Sequence, residues 1–130
     1  MPLYSPIYVS RYIKKRGKYI ISVVKLDDVI KNMGKRTGYE LIGEKDGCVN
    51  GCRCGVSVYT HTEYDIEHAG AHEDQEGFFV LEGHGRALVG DDEVVLEPGV
   101  CFVIPAGVKH CMKREQGCEF CKVFWFHSAV

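Results

Sequence analysis

The chain has 130 residues, the size of one domain, and its 45% apolar and 26% charged residues exclude a disordered or collagen-like polypeptide. Sixteen Lys and Arg against eighteen Asp and Glu give a net charge of -2, which supplies no overall attraction to nucleic acid or to an anionic membrane. No run reaches the roughly eighteen apolar residues of a membrane span, no signal-peptide pattern opens the chain, and seven cysteines make an odd number for a disulfide framework, so a cytoplasmic protein with reduced thiols is expected.

In chain order, short runs rich in Val, Ile, Phe and Tyr alternate with Gly and turn residues, the pattern of an all-β sandwich or barrel. Near the start, the basic run Lys14-Lys15-Arg16 with Lys18 is short and reads as solvated surface. A strand is expected over 18–24. One helix follows, because Leu26, Val29, Ile30 and Met33 fall on one face, Asp27 and Asp28 favour its N-terminal end and Gly34 stops it. Further strands are expected over 39–43, 55–66, 76–82, 86–89, 93–96, 101–104, 109–113 and 119–127. Gly83 and Gly85 permit a sharp bend, and Gly90-Asp91-Asp92 reads as a hairpin turn. The segment 1–50 is expected to supply strands and the short helix packing on a barrel formed by 51–130, the whole being a single domain.

Residues with chemistry concentrate in the second half. From His72 the chain reads through Glu76 to Gly83, with three residues between His and Glu and six between Glu and Gly. From Gly99 it runs through Pro105 and Gly107 to His110. Proline pre-sets φ and glycine accepts a positive value, so this turn reverses a strand and aims the imidazole of His110 back into a barrel.

These two stretches resemble the paired motifs of the cupin superfamily, G(X)5HXH(X)3-4E(X)6G and G(X)5PXG(X)2H(X)3N, at His72, Glu76, Gly83, Gly99, Pro105, Gly107 and His110. The resemblance implies a jelly-roll-like, double-stranded β-helix barrel carrying an N-terminal extension and one short helix. It also implies a divalent metal ion (Fe, Mn, Ni or Zn) on His72, Glu76 and His110. The first His of HXH falls on Gly70, which has no side chain to donate, and the closing Asn falls on Arg114. His68 keeps strand parity with Gly70 but lies two residues away, about 7 Å along a strand, and would substitute only across a bulge. Two His and one carboxylate are by themselves a facial triad of the non-haem iron kind. The contrary reading makes the three residues vestiges in a metal-free barrel, although imidazole and carboxylate are costly to bury without a cation or partner. Phe78 and Val80 share the parity of Glu76, Met112 that of His110, and these are the expected walls of a substrate pocket, with Cys111 pointing away.

His61, His84 and His127 fall outside the motifs and read as surface or structural residues, His127 standing beside Trp125 on the last strand. Cys48, Cys52 and Cys54 in a Gly-containing loop, with Cys118 and Cys121, are candidates for a second, structural zinc site; the alternatives are inert thiols and, less favoured because only Arg53 offers a basic setting, a redox-active pair of closely spaced thiols. Two functions remain open on the resemblance. One is a metal-dependent isomerase, dioxygenase or lyase acting on a small polar metabolite, with Glu76 as the proton-moving residue. The other is a non-catalytic sensor of a metabolite or metal. The expected partners are a small-molecule ligand and a second copy in a homodimer, joined by sheet edges to which Tyr4 to Val24, with Tyr8, Tyr12 and Tyr19, contribute a strand. No nucleic acid or membrane partner is expected.

Overall fold

The computed structural model describes residues 2–5, 8–16 and 19–128, with side chains described from residue 21. Its elements are β1 (Pro2–Ser5), β2 (Tyr8–Arg16), β3 (Tyr19–Val24), α1 (Leu26–Met33), β4 (Gly38–Ile42), β5 (Arg53–Tyr59), β6 (Gln75–Gly83), β7 (Gly85–Val89), β8 (Asp92–Leu96), β9 (Cys101–Ile104), β10 (His110–Arg114) and β11 (Cys121–Ser128), with 3-10 turns at Glu44–Asp46 and Ile66–His68. The single helix ends where glycine permits it, since Gly34 has φ 74° and its N–H caps the carbonyl of Ile30. Tyr39 ties the exit, its hydroxyl donating to Gly34 O and accepting from Arg36 N.

Two antiparallel sheets make the barrel. One has the order β4-β5-β11-β6-β9 and the other β10-β7-β8. Strand alternation decides what each contributes to the interior. On β11 Cys121, Val123, Trp125 and His127 are buried while the residues between them are not. On β6 the inward set is Glu76, Phe78 and Val80. Ala87, Leu96 and Met112 face them from the smaller sheet, and Ile104 closes the core from β9. Dense packing here requires absent side chains: a Cβ on Gly55 would fall 2.2 Å from Tyr39 O and 2.4 Å from the Trp125 ring. Gly83, at φ 81°, turns β6 into β7 where a Cβ would meet the Phe120 carbonyl at 2.0 Å.

The all-β barrel and the helix are as the sequence led us to expect. Two differences stand out. The strand expected over 55–66 ends at Tyr59, because Thr60 to Gly70 form the loop that carries the Ile66–His68 turn. Strand was expected within Tyr4 to Val24, but β1 and β2 were not expected as separate strands; with β3 they form a third antiparallel sheet, which meets α1 through β2 and β4 through β3. Lys18 lies outside the described residues, as do the side chains of Lys14, Lys15, Arg16, Tyr4, Tyr8, Tyr12 and Tyr19. Among the described residues no helix is long and apolar enough to cross a membrane.

Candidate metal centre

Four side chains converge at one end of the barrel. Glu76, on β6, is their hub: His72 Nε2 lies 3.3 Å and His110 Nε2 2.9 Å from its Oε1, and His127 Nε2 lies 3.2 Å from its Oε2. Each arrives by a different route. His127 is the direct cross-strand partner of Glu76 in the β6–β11 ladder, so the two side chains are neighbours by register. His110 opens β10 on the opposite sheet, after the Pro105–Gly107 turn. Gly70 bridges to His110 through paired backbone hydrogen bonds of 3.0 and 2.9 Å, which sets His72, two residues on, beside the carboxylate.

The outer nitrogens of two imidazoles are already committed. His110 Nδ1–H donates to Val108 O at 3.0 Å, since a carbonyl can only accept. His127 Nδ1–H donates to the Asp74 carboxylate at 3.0 Å. In the neutral tautomer each Nε2 therefore presents a lone pair to Glu76, whose ionised oxygens also only accept. That cluster of lone pairs is satisfied by a second proton on the imidazoles or by a cation among them. Asp74 beside His127 and the Val108 carbonyl beside His110 are outer partners of the kind that orient metal-ligating histidines. The donor set, nitrogen and carboxylate oxygen, suits a divalent Fe, Mn, Ni or Zn ion. His72, Glu76 and His127 each place one ligand atom within 4.8 Å of the others, and His110 joins through Glu76.

Charge and burial pull the imidazoles apart. His72 is held below its ordinary pKa, first by burial, with Glu76 opposing and the neighbouring His110 and His127 adding to the fall. Burial also disfavours charge on His110, but there the hydrogen bond to Glu76, the Val108 carbonyl and the Glu76 charge outweigh it and the pKa rises. For Asp74 burial works against ionisation, yet the hydrogen bond and charge of His127 hold its carboxyl below the usual carboxylate range.

A cleft of about 430 Å³ opens onto this centre, with Glu76, His72 and His110 at its floor, Phe78 and Met112 as apolar wall, and Thr37, His61, Asp65 and His68 among its polar lining. Phe78 and Met112, expected as pocket walls, both line this cleft. Val80 does not: its parity is inward, but it is wholly buried in the core one layer below the cleft. Cys111 lines the cleft although its parity opposes that of Met112. His68 does not replace the missing ligand, because its side chain is 78% exposed and bound to Asp65 at 3.0 Å. The place itself is recognisable, since a Cβ on Gly70 would sit 3.3 Å from His72 Nε2 and 3.6 Å from His110 Nε2.

His127 is the residue that motif reasoning passed over. Its signal was in the sequence, for it shares the parity of Val123 and Trp125, two core residues of the same strand. The other two histidines outside the motifs have local roles. His61 Nε2 contacts Met112 O at 2.9 Å, and His84 Nδ1 faces Cys118 Sγ at 3.7 Å. The five thiols of the expected zinc site do not form one site. Cys54 is opposite Phe126 and Cys121 opposite Tyr59 in the β5–β11 ladder, five residues apart and therefore about 16 Å away along the strand. Cys118 and Cys121 are left beside His84 and Gly85, and Cys48, Cys52 and Cys54 at the other end.

Comparison with known proteins agrees with this architecture. Among solved structures, a cupin protein from Bacteroides fragilis superposes with a TM-score of 0.61 at 11% identity, over 75% of this chain and 80% of that one. FeII HppE gives 0.56 at 19% identity, over 70% and 48%, and the polyketide cyclase RemF from Streptomyces resistomycificus 0.58 at 21%, over 69% and 62%. The chain therefore spans about half the length of the first enzyme and under two thirds of the second. At such identities the likeness is one of fold. No curated protein matches the sequence. The family model described as the cupin domain, however, matches residues 57–127, more than half of the 130, and that span runs from β5 through every one of the four converging side chains. The chain belongs to the cupin family.

Proposed function

We propose that the barrel holds one divalent ion on His72, Glu76, His110 and His127 and works on a small polar metabolite that enters through the cleft. The observation that carries this reading is the inward set of lone pairs: two imidazoles whose outer N–H groups are already donated meet a carboxylate that can only accept. Gly70 has lost the side chain that the motif would supply, and His127 takes over that ligand's part from the neighbouring strand. When bound, the ion would supply Lewis acidity toward a substrate oxygen or, if iron, a site for dioxygen. Iron is the first metal to test, because FeII HppE has this fold.

The protein's own groups have separable tasks. Phe78 and Met112 exclude water from one side of the cleft, Phe78 being fixed by stacking on Phe102 at 5.2 Å. His61 and Thr37 offer hydrogen bonds to a polar ligand. Glu76 both faces the cleft and borders the ion, and is the carboxylate placed to accept a proton from a bound molecule. An isomerase, lyase or dioxygenase fits this arrangement; a metabolite or metal sensor would use the same floor without turnover.

The direct experiment is metal analysis of purified protein against His72→Ala, His110→Ala and His127→Ala. About one equivalent of a divalent ion in the wild type, lost or weakened in every variant, is the result expected. Retention in all three would end the proposal. A second copy is the partner proposed, and the outer face of β9-β6-β11 favours it, since Phe79, Leu81, Val103 and Phe126 are each 40–58% exposed there. A monomer in sedimentation at micromolar concentration would exclude that assembly.

A further inference from the structure

The segment before β5 and the first residues of that strand carry three of the seven cysteines, Cys48, Cys52 and Cys54, and none has a part in the barrel centre. Cys52 N–H donates to Val49 O at 3.1 Å, closing a tight turn whose central residues, Asn50 at φ 55° and Gly51 at φ 74°, are both left-handed, as an Asn-Gly pair favours. The turn is anchored from behind by Cys48 N–H on Gly43 O at 3.3 Å, next to Asp46, which caps the Gly43 N–H at 2.9 Å. Folding the chain back in this way brings Cys48 and Cys52 onto one cleft of about 720 Å³, and the Cys48 thiol is pushed up first by burial and then by the neighbouring Cys52. Cys52 is exposed and Cys48 half-buried, so one sulfur is open to a solute and the other stands behind it. Cys54, by contrast, is held in the β5 ladder between Ile42 and Phe126.

The same turn touches the wall of the candidate metal centre. A Cβ on Gly51 would lie 3.7 Å from Asp74 Oδ2, so the backbone of the turn is packed close to the carboxylate that holds His127 Nδ1. Two residues further on, Arg53 is the ladder partner of His127 itself.

We infer that Cys48 and Cys52 form a reversible redox pair, oxidised to a disulfide by a peroxide, whose state reaches His127 through Gly51 and Asp74. The chemistry balances within this pair. The Cys52 thiolate attacks the peroxide O–O bond, giving a sulfenic acid and one water (or alcohol) that carries off the Cys52 proton. Cys48 sulfur then attacks Cys52 sulfur; the S–S bond forms, the S–O bond breaks, and hydroxide leaves as a second molecule of water with the Cys48 proton. Two thiols lose two electrons and the peroxide gains them. Because the S–S bond draws the sulfurs to about 2.05 Å, the turn must tighten, and Gly51 moves against Asp74.

The test uses the full chain, reduced and freed of metal, treated with hydrogen peroxide and mapped by mass spectrometry. Two of the seven thiols should disappear together in a peptide pair joining Cys48 to Cys52, and return on treatment with a dithiol. Cys52→Ser should abolish the cross-link, while Cys101→Ser, at an exposed thiol remote from the turn, should leave it intact. On the same samples, the ring N–H resonance of His127 should shift between reduced and oxidised wild type and stay fixed in Cys52→Ser. A disulfide joining other residues, over-oxidation of single thiols in its place, or an unmoved His127 resonance in cross-linked protein would each overturn the inference. Both readouts are taken without metal, so their failure is separate from failure of the barrel to bind an ion.

Discussion

Replacing Asp74 by Ala separates a ligand role for His127 from a merely structural one. In the metal-free protein the change should cost little. Asp74 is a partly exposed carboxylate whose removal opens no core cavity, and the His127 imidazole can move its proton to Nε2 and donate to Glu76 Oε2, already 3.2 Å away. The vacated Nδ1 then accepts from water where Asp74 stood. Unfolding stability should fall by about 1 kcal/mol, the net worth of one hydrogen bond whose remaining partner is satisfied again. With a metal ion the balance reverses, because ligation needs the Nε2 lone pair and forces the proton back to Nδ1, where an uncharged water now stands in for the carboxylate that accepted it. Loss of such an outer carboxylate lowers metal affinity about 10- to 100-fold, which is about 1.4 to 2.7 kcal/mol. Calorimetric titration of the ion alongside denaturant unfolding of the metal-free protein reads both quantities. Unchanged affinity in Asp74→Ala, with affinity lost in His110→Ala, would show that His127 only props Glu76 and that the reasoning from its tautomer is wrong.

Three further outcomes follow from other parts of the molecule. The pKa of His110 is raised above its ordinary 6.5, so it still holds a proton at pH values where a free imidazole has lost it, and that proton must leave on ligation. Metal affinity should therefore keep rising with pH above 6.5, with proton release visible in buffers of different ionisation enthalpy; affinity level across that range would contradict the assignment of His110. By the same sign, the metal-free protein loses the stabilisation from His110 as pH rises through its folded pKa, while metal-loaded protein does not, a difference seen in melting temperature against pH. Gly55→Ala forces a Cβ to 2.2 Å from Tyr39 O and 2.4 Å from Trp125, and should cost about 1 to 3 kcal/mol or more in denaturant unfolding. Cys121 is wholly buried and burial pushes its thiol up to about 11, so it should be the last cysteine alkylated in native protein, after exposed Cys52 and Cys101, with the order read by mass spectrometry.

The barrel was legible because its information is local. A His, a Glu four residues on, and a His after a Pro-x-Gly turn are adjacent in sequence to the turns that aim them, and period-two alternation tells which neighbours share the interior. His110, Phe78 and Met112 could be placed by that rule alone. Val80 shows its limit, since parity says which face a residue takes and not how deep along the strand the cleft reaches. Ladder register is the other quantity hidden from a single sequence. Whether Cys54 and Cys121 lie together depends on how β5 slides against β11, and the observed pairing puts them at opposite ends. The third sheet was missed for a simpler reason: β1 and β2 carry no motif, and β2 mixes basic with apolar residues.

Register also explains how the centre tolerates Gly70. A ligand lost from one chain segment can be replaced only by a residue whose side chain already points at the same spot, and in a sheet such residues are the cross-strand neighbours of the remaining ligands. Glu76 has two, Ile104 on β9 and His127 on β11. Only the second can donate a lone pair, and Asp74 holds it in the tautomer that does so. The β-bulge opposite Lys122 and Val123 is what makes this pairing possible: its extra residue is on β6, where the ladder skips Leu81, while β11 keeps its alternation and its regular register with β5; without it, β6 before Leu81 would shift by one residue and turn Glu76 away from the interior. The convergence of His127 on Glu76 thus depends on one irregular position several residues from either.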